Sequence, residues 1–240
     1  MGDWRRYITA LSRHHRSGGF GIHSPFAFRF VRNVLRERLP YYAYQELETL
    51  RQAVLAQCPR HSRPIIGKKD ARMLFRIVNA FTPSRILQIG TNHGVTSRVM
   101  MAVSSTSRLW LYKLPDPVGD RLDAQVLRPV LDRVDCFSDL GETLHAFGTH
   151  HDDKPPLVLI DDLPSAVPPQ DITSLSDFLR QVTTTAGVIV MRGIHLNDTV
   201  ARLWEDCRQY AAFGQTFSNG KWGILVSDSK LQREHFDLWL

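Results

Sequence analysis

The chain has 240 residues, of which 43% are hydrophobic and 22% charged, and its net charge is +6, a composition typical of one large globular domain. No apolar run approaches the ~18 residues that span a bilayer, and the N-terminus has no apolar stretch of signal-peptide length, so we expect a cytoplasmic protein without membrane contact. The three cysteines are far apart in the sequence, which indicates neither a disulfide framework nor a zinc site.

The positive charge is concentrated near the N-terminus. Residues 1–80 contain 15 Lys and Arg but only 5 Asp and Glu, whereas the remaining 160 residues contain 15 and 19. Such asymmetry can mark a surface for nucleic acid, anionic lipid or an acidic partner. A solvated helical face is the simpler interpretation, because no aromatic-basic module of a known RNA-binding type accompanies the charge. Nucleic acid is therefore a partner that we consider but do not favour.

The first 66 residues have the pattern of a basic helical extension. Helices are predicted over residues 3–16, 25–38 and 43–57, followed by a linker over 58–66. Ser24 and Pro25 form a clear helix start, with Ser as N-cap and Pro at the first helical position. Several aromatic side chains in this extension need burial, which they could find in a homodimer through the N-terminal helices. These are Phe26, Phe30, Tyr41, Tyr42 and Tyr44.

From Gly67 to the C-terminus, helical and strand patterns alternate. This alternation predicts a mostly parallel sheet with helices on both faces, in one domain over residues 67–240. The dipeptide Asn219-Gly220 predicts a closing antiparallel hairpin. The predicted helices cover residues 69–81, 95–103, 118–130, 140–147, 172–182 and 198–212. The predicted strands cover residues 85–89, 108–112, 134–137, 157–160, 188–191, 215–218 and 222–226.

Two stretches carry a resemblance to a known family. Residues 21–26 read Gly-Ile-His-Ser-Pro-Phe, and residues 88–97 read Gln-Ile-Gly-Thr-Asn-His-Gly-Val-Thr-Ser. Together they resemble bacterial class I S-adenosylmethionine-dependent methyltransferases that carry a helical extension of this type, and this chain would be a divergent member. The resemblance implies a Rossmann-like α/β fold with a seven-stranded, mostly parallel sheet. It also implies S-adenosylmethionine as the cofactor.

The glycine loop after the first strand supplies the candidate cofactor contacts. Gly90 and Gly94 permit close approach of the backbone to a ligand, and the strand delivers them to the carboxyl edge of the sheet, where open α/β folds bind ligands. Thr91 lies between them in the loop, and Gln88 stands where the family has an acidic residue. Gln88 can still hydrogen-bond an amine, but it supplies no charge. A tight turn without any ligand is the alternative interpretation of this loop.

The sequence departs from the family at two further positions that are usually acidic. The second strand ends at Lys113, which cannot accept hydrogen bonds from ribose hydroxyls. Asp116 could replace the missing acid, although an exposed loop carboxylate is the simpler interpretation. After the fifth strand, Arg192 stands where metal-dependent relatives have an acidic residue. We therefore predict no metal site, and we expect Asp161 and Arg192 to form an ion pair in its place.

Two side chains are candidates for the chemistry of a transfer reaction. They are His195 and Asp161, which lie in loops where this fold places functional residues. His93, in the glycine loop, is a second histidine in such a position. A histidine in such a loop can act as a general base at neutral pH, although a lone loop histidine is more often structural.

Three functions remain open from the sequence. The first is an S-adenosylmethionine-dependent methyltransferase of O-methyltransferase descent without the usual metal site, acting on an unknown acceptor. The second is a catalytically inactive binding or scaffold protein that kept the fold, favoured by the three replaced acidic positions. The third is a nucleic-acid-associated protein that binds through its basic helices, which would show steep salt dependence.

Overall fold

A computed structural model of the chain describes residues 22–58, 65–90, 93–150, 152–161, 163 and 167–238. The helix predicted over residues 3–16 lies outside them. The described helices are α1 (Pro25–Phe30), a π-helical turn (Val31–Leu35), α2 (Tyr44–Gln57), α3 (Lys68–Phe81), α4 (Val95–Met101), α5 (Pro117–Leu127), a 3-10 helix (Arg128–Arg133), α6 (Leu140–Thr149), α7 (Pro169–Thr184) and α8 (Asp198–Tyr210). The strands are β1 (Arg85–Ile89), β2 (Arg108–Tyr112), β3 (Val134–Phe137), β4 (Leu157–Ile160), β5 (Gly187–Arg192), β6 (Gln215–Ser218), β7 (Trp222–Ser227) and β8 (Glu234–Asp237).

The strands form one mostly parallel sheet in the order β3-β2-β1-β4-β5-β7-β6-β8. The first five strands in this order are parallel, whereas β7 is antiparallel to both β5 and β6. The predicted α/β architecture and its closing hairpin around Asn219-Gly220 are therefore confirmed. The order in which strands are added reverses between β1 and β4, where the chain crosses from one half of the sheet to the other.

The predicted count of seven strands is wrong by one. The eighth strand, β8, pairs in parallel with β6 at the edge of the sheet. Its sequence is Glu-His-Phe-Asp, and only Phe236 is buried. Such a short and mostly polar segment lacks the apolar alternation from which strands are predicted. Pairing with the neighbouring strand, rather than local propensity, creates this element.

Two helices do not extend to the residues at which the sequence pattern predicts their ends. The helix that begins at Pro25 is confirmed at its start, since Ser24 Oγ accepts a hydrogen bond from the Ala27 N–H at 3.2 Å. It ends at Leu35 rather than Arg38, after the π-helical turn. The helix predicted over residues 118–130 divides into α5 and the 3-10 helix, with Pro129 near the start of the second piece. Proline has no N–H to continue the α-helical hydrogen bonds there.

The two faces of the sheet carry separate hydrophobic cores. One core contains the described part of the extension together with α3 and α4, and the other contains α6, α7 and α8. All four residues of β4 are fully buried, because helices cover both faces of this central strand. No helix in the described ranges is long and apolar enough to cross a membrane.

The described part of the N-terminal extension packs on its own sheet. Phe30 contacts the rings of Phe217 and Phe81 at centroid distances of 4.9 and 5.7 Å. The buried Arg76 of α3 donates to the Leu35 carbonyl at 2.8 Å and also to that of Val34, so it satisfies the end of the π-helical turn. Aromatic side chains of the extension are thus buried in part within the chain itself. A homodimer through the N-terminal helices stays a prediction.

Candidate functional site

Gly90 and Asp161, two of the predicted site residues, lie at the carboxyl edge of the parallel strands. The Gly90 N–H donates to the Tyr112 carbonyl at 2.9 Å, which joins the ends of β1 and β2. The Asp161 N–H donates to the Ile89 carbonyl at 3.0 Å, which joins the ends of β1 and β4. The glycine loop therefore stands between the two halves of the sheet, where open α/β folds bind their ligands.

Two glycines of this loop have backbone conformations that other residues rarely adopt. Gly90 has φ = 80° and Gly94 has φ = 72°. A Cβ at Gly94 would lie 3.0 Å from a methyl carbon of Val126, so this glycine also lets the loop pack closely on α5. Thr91, the third predicted contact in the loop, lies outside the described residues. Gly94 therefore has the close packing that was predicted for it, and contact of the loop with a cofactor stays a prediction.

Gln88 lies at the centre of a buried hydrogen-bond network. Its amide nitrogen donates to the Gly90 carbonyl at 2.9 Å and to Thr96 Oγ1 at 3.0 Å. Its amide oxygen accepts from Ser97 Oγ at 2.7 Å. Both amide hydrogens of Gln88 are therefore directed at protein atoms, and the side chain acts as a brace between β1 and α4.

The predicted ion pair between Asp161 and Arg192 is present. Arg192 Nη1 lies 3.0 Å from Asp161 Oδ1, and the other carboxylate oxygen accepts from Thr96 Oγ1 at 2.7 Å. The Asp161 side chain is fully buried, so the guanidinium compensates its charge inside the protein. Among the described residues, no group of three or more His, Cys, Asp or Glu side chains could hold a metal ion.

Lys113, where a ribose-binding acid was expected from the family, binds two carboxylates of α5. Its amine lies 2.6 Å from Asp120 Oδ1 and 2.9 Å from Asp123 Oδ2. Burial lowers the pKa of Lys113, but hydrogen bonds from the amine to the two carboxylates outweigh it and raise the pKa overall. Asp116 is exposed just before α5, and its carbonyl accepts from the Asp120 N–H at 2.6 Å.

His93 is buried in the glycine loop with its polar atoms unsatisfied. The residue is 7% exposed, and neither ring nitrogen has a hydrogen-bond partner among the residues that the structure describes. Its φ of 51° is unusual for a residue with a side chain. Buried polar groups are nearly always hydrogen-bonded, so an unpaired imidazole at the ligand-binding edge indicates a missing partner.

His195 lies at the same edge but in a different environment. It is exposed in the turn that follows β5, where the Leu196 N–H donates to the Gly193 carbonyl. Its ring carbon Cδ2 would lie 3.3 Å from a Cβ at Gly220, so the ring packs beside the β6–β7 turn. The structure therefore places His195 beside the end of β5, whereas His93 lies inside the glycine loop.

The sequence analysis did not identify Thr96, Ser97 or Asp123 as parts of the site. Thr96 and Ser97 are fully buried in the first turn of α4, and the amide of Gln88 links them. Polar residues directly after a glycine loop could have indicated this role. Asp123 has no such signal, because its pairing with Lys113 depends on how α5 packs on β2.

Several solved structures with the same architecture are methyltransferases by name. They include a putative O-methyltransferase from Klebsiella pneumoniae, with 13% identity and a TM-score of 0.56 over 82% of this chain and 96% of that one. An O-methyltransferase from Bacillus cereus in complex with S-adenosylhomocysteine has 15% identity and a TM-score of 0.56, covering 81% and 96%. This chain has the class I methyltransferase fold. A methyltransferase from Geobacter sulfurreducens shares it at 15% identity and a TM-score of 0.53, covering 83% and 96%.

Sequence comparison adds nothing to this result. No protein-family model matches the chain, and no curated protein matches it significantly. At 13–15% identity the likeness to these methyltransferases is one of fold. In this chain, the loop after β1 contains Gly90, His93 and Gly94.

Proposed function

We propose that the chain is an S-adenosylmethionine-dependent O-methyltransferase that works without a metal ion. The observation that carries the proposal is the unsatisfied imidazole of His93, buried in the glycine loop at the carboxyl edge of a class I methyltransferase sheet. A bound cofactor would give this side chain the partner that the described residues do not supply. The names of the structural neighbours agree with this chemistry.

The residues present fit the cofactor at its methionine end. Gly90 and Gly94 have positive φ angles and no side chain, so the backbone at these two positions can approach a ligand closely. His93 offers one donor and one acceptor. Gln88 braces the loop through the Gly90 carbonyl instead of reaching out with a charge. At the ribose, the exposed Asp116 remains the candidate acceptor, since Lys113 is held by Asp120 and Asp123.

A bound S-adenosylmethionine supplies a methyl group activated by the positive charge on its sulfur. The protein must position an acceptor oxygen, remove its proton and exclude water from the reaction. We assign proton removal to His195, which is exposed at the carboxyl edge, because an imidazole side chain can serve as a general base. The acceptor oxygen becomes more negative as its proton leaves, so a nearby cation stabilises the transition state.

Arg192 is the cation that this edge offers. In metal-dependent relatives a divalent ion would take this role, and we propose that the Arg192 guanidinium occupies roughly that volume. Asp161 was predicted as a catalytic residue, and its geometry supports a positioning role instead. Both of its oxygens are engaged, one by Thr96 and one by Arg192, so it holds the guanidinium in place.

Calorimetric titration with S-adenosylmethionine and S-adenosylhomocysteine tests this proposal. We expect micromolar binding that weakens at least tenfold in Gly90→Ala, because alanine strains a backbone with φ = 80°. Gly148→Ala is the matched control, since a Cβ there meets nothing within 4 Å. If Gly90→Ala does not fold, His93→Ala must show the loss. Absence of binding to the wild type at millimolar ligand would overturn the proposal and favour the inactive binding protein.

A further inference from the structure

A basic cleft opens beside the proposed active site. It lies between the end of the π-helical turn, the N-terminal half of α3 and the β6–β7 turn, and its volume is about 500 Å³. Clefts of this size typically bind small molecules. Its lining includes Glu37, Asp70, Asn219 and an excess of basic side chains. The basic residues are Arg36, Arg38, Lys69, Arg72 and Arg76.

The two carboxylates of the cleft are already engaged. Asp70 forms an ion pair with Lys221, a sixth cation at the rim. The Glu37 carboxylate accepts hydrogen bonds from the backbone N–H groups of Arg38 and Leu39, which lower its pKa. Among the described residues, neither carboxylate forms an ion pair with Lys69 or Arg72, so the cleft keeps an excess of positive charge.

A neighbouring aromatic ring orients the guanidinium of Arg72. Its guanidinium carbon lies 4.7 Å from the centroid of the Tyr44 ring, and this stacking restricts the side chain. Its Nε is buried without a hydrogen-bond partner among the described residues. An arginine fixed in this way offers several donors in one plane, which matches the geometry of phosphate oxygens. Unsatisfied donors in a basic cleft indicate an anionic ligand.

The cleft adjoins the catalytic edge of the sheet. The Asn219 N–H donates to the Trp222 carbonyl at 3.1 Å, so the cleft-lining residue sits directly beside Trp222. Trp222 is paired with Arg192 across β5 and β7. Two strand spacings of about 4.8 Å each place Asn219 roughly 10 Å from Arg192. A small molecule can span this distance, with one end in the cleft and the other at Arg192.

We propose that the methyl acceptor is a small molecule that carries a phosphate group, and that this cleft binds the phosphate. The inference rests on the proposed function and adds its substrate class. The phosphate binds Arg72, Lys69 and Arg38, and the acceptor oxygen lies at Arg192. A phosphate monoester carries about two negative charges at neutral pH, which suits a cleft with several cations better than a single carboxylate would.

Inorganic pyrophosphate is the probe for this cleft, titrated calorimetrically into the full chain at low ionic strength. The variant Arg38→Gln with Lys69→Gln removes two exposed cations of the cleft, so its fold is preserved. The control is Arg128→Gln with Lys230→Gln, which removes two exposed cations elsewhere. We expect the cleft variant to weaken binding at least tenfold and the control to change it less than twofold. Equal weakening in both variants would overturn the proposal, because it would show a diffuse charge effect.

The same titrations separate the two proposals. Cleft-specific binding of pyrophosphate in a protein that does not bind S-adenosylmethionine would overturn the proposed methyltransferase function while the anion site stands. Cofactor binding without pyrophosphate binding would overturn the anion site alone. A single-stranded RNA that binds the wild type far more tightly than pyrophosphate, and loses that affinity in the cleft variant, would overturn the small-molecule class of the ligand.

Discussion

Arg192 Nη1 lies 3.0 Å from Asp161 Oδ1, and this ion pair joins the ends of β5 and β4 at the edge where the class I methyltransferase fold binds its ligands. Thr96 holds the second oxygen of the same carboxylate, and Gln88 holds Thr96. The pair is thus one end of a continuous polar network that begins in the glycine loop. Its rigidity fixes the guanidinium at the place that we assign to the acceptor oxygen.

Removal of Arg192 alone should destabilise the folded protein. Arg192→Met leaves the buried Asp161 carboxylate without its counter-charge, and we expect a loss of about 3–5 kcal/mol in the free energy of unfolding. The double variant Arg192→Met with Asp161→Asn removes both charges and should regain most of that loss. Urea unfolding of the wild type and the variants measures the difference. A loss below about 1 kcal/mol in the single variant would show that the pair is not buried in solution.

Gly94 should resist substitution for two physical reasons. Gly94→Ala places a Cβ at φ = 72° and 3.0 Å from Val126, so we expect a destabilisation of about 2–4 kcal/mol. The additional change Val126→Ala relieves the contact and should recover only the packing part. Gly148→Ala, in open space on α6, should leave the stability nearly unchanged. Thermal unfolding reports all three, and a Gly94→Ala variant as stable as Gly148→Ala would contradict the loop geometry.

Lys113 should stabilise the packing of α5 against β2. Lys113→Met leaves the buried Asp123 without this cation, and we expect a loss of about 3 kcal/mol by urea unfolding. Because the pKa of Lys113 is raised in the folded state, its contribution is complete below about pH 10.5 and is lost as the pH rises through the folded value. Lys154→Met, at an exposed position, is the control. Equal stability of the two variants would contradict this assignment.

Cys207 should be inert in the folded protein. Burial raises the pKa of its thiol to about 12, so the reactive thiolate is scarce at pH 8. We expect iodoacetamide to modify the exposed Cys136 and the half-buried Cys58, and to leave Cys207 unmodified until the protein is unfolded. Mass spectrometry of the alkylated peptides gives the order. Modification of Cys207 at the rate of Cys58 would show that α8 opens readily in the native state.

The sequence predicts the parts of this fold that depend on local pattern. The strand Arg85–Ile89 was predicted to the residue, because an apolar run ends there at a glycine loop. β8 could not be predicted, since Glu234–Asp237 becomes a strand only by pairing with β6. The same limit applies to the site. The ion pair between Asp161 and Arg192 could be predicted, because Arg192 stands where metal-dependent relatives have an acidic residue. The pairing of Lys113 with Asp123 could not, because it depends on how α5 packs on β2.

Histidine NMR tests the central claim most directly, since it observes the imidazole on which the proposed function depends. The wild type and His93→Gln, with ¹⁵N-labelled histidine, would be titrated with S-adenosylhomocysteine. We predict that the ring resonances absent from the His93→Gln spectrum shift saturably in the wild type, because the imidazole gains a hydrogen-bond partner. Unchanged His93 resonances at millimolar ligand would contradict the assignment of the glycine loop as the cofactor site.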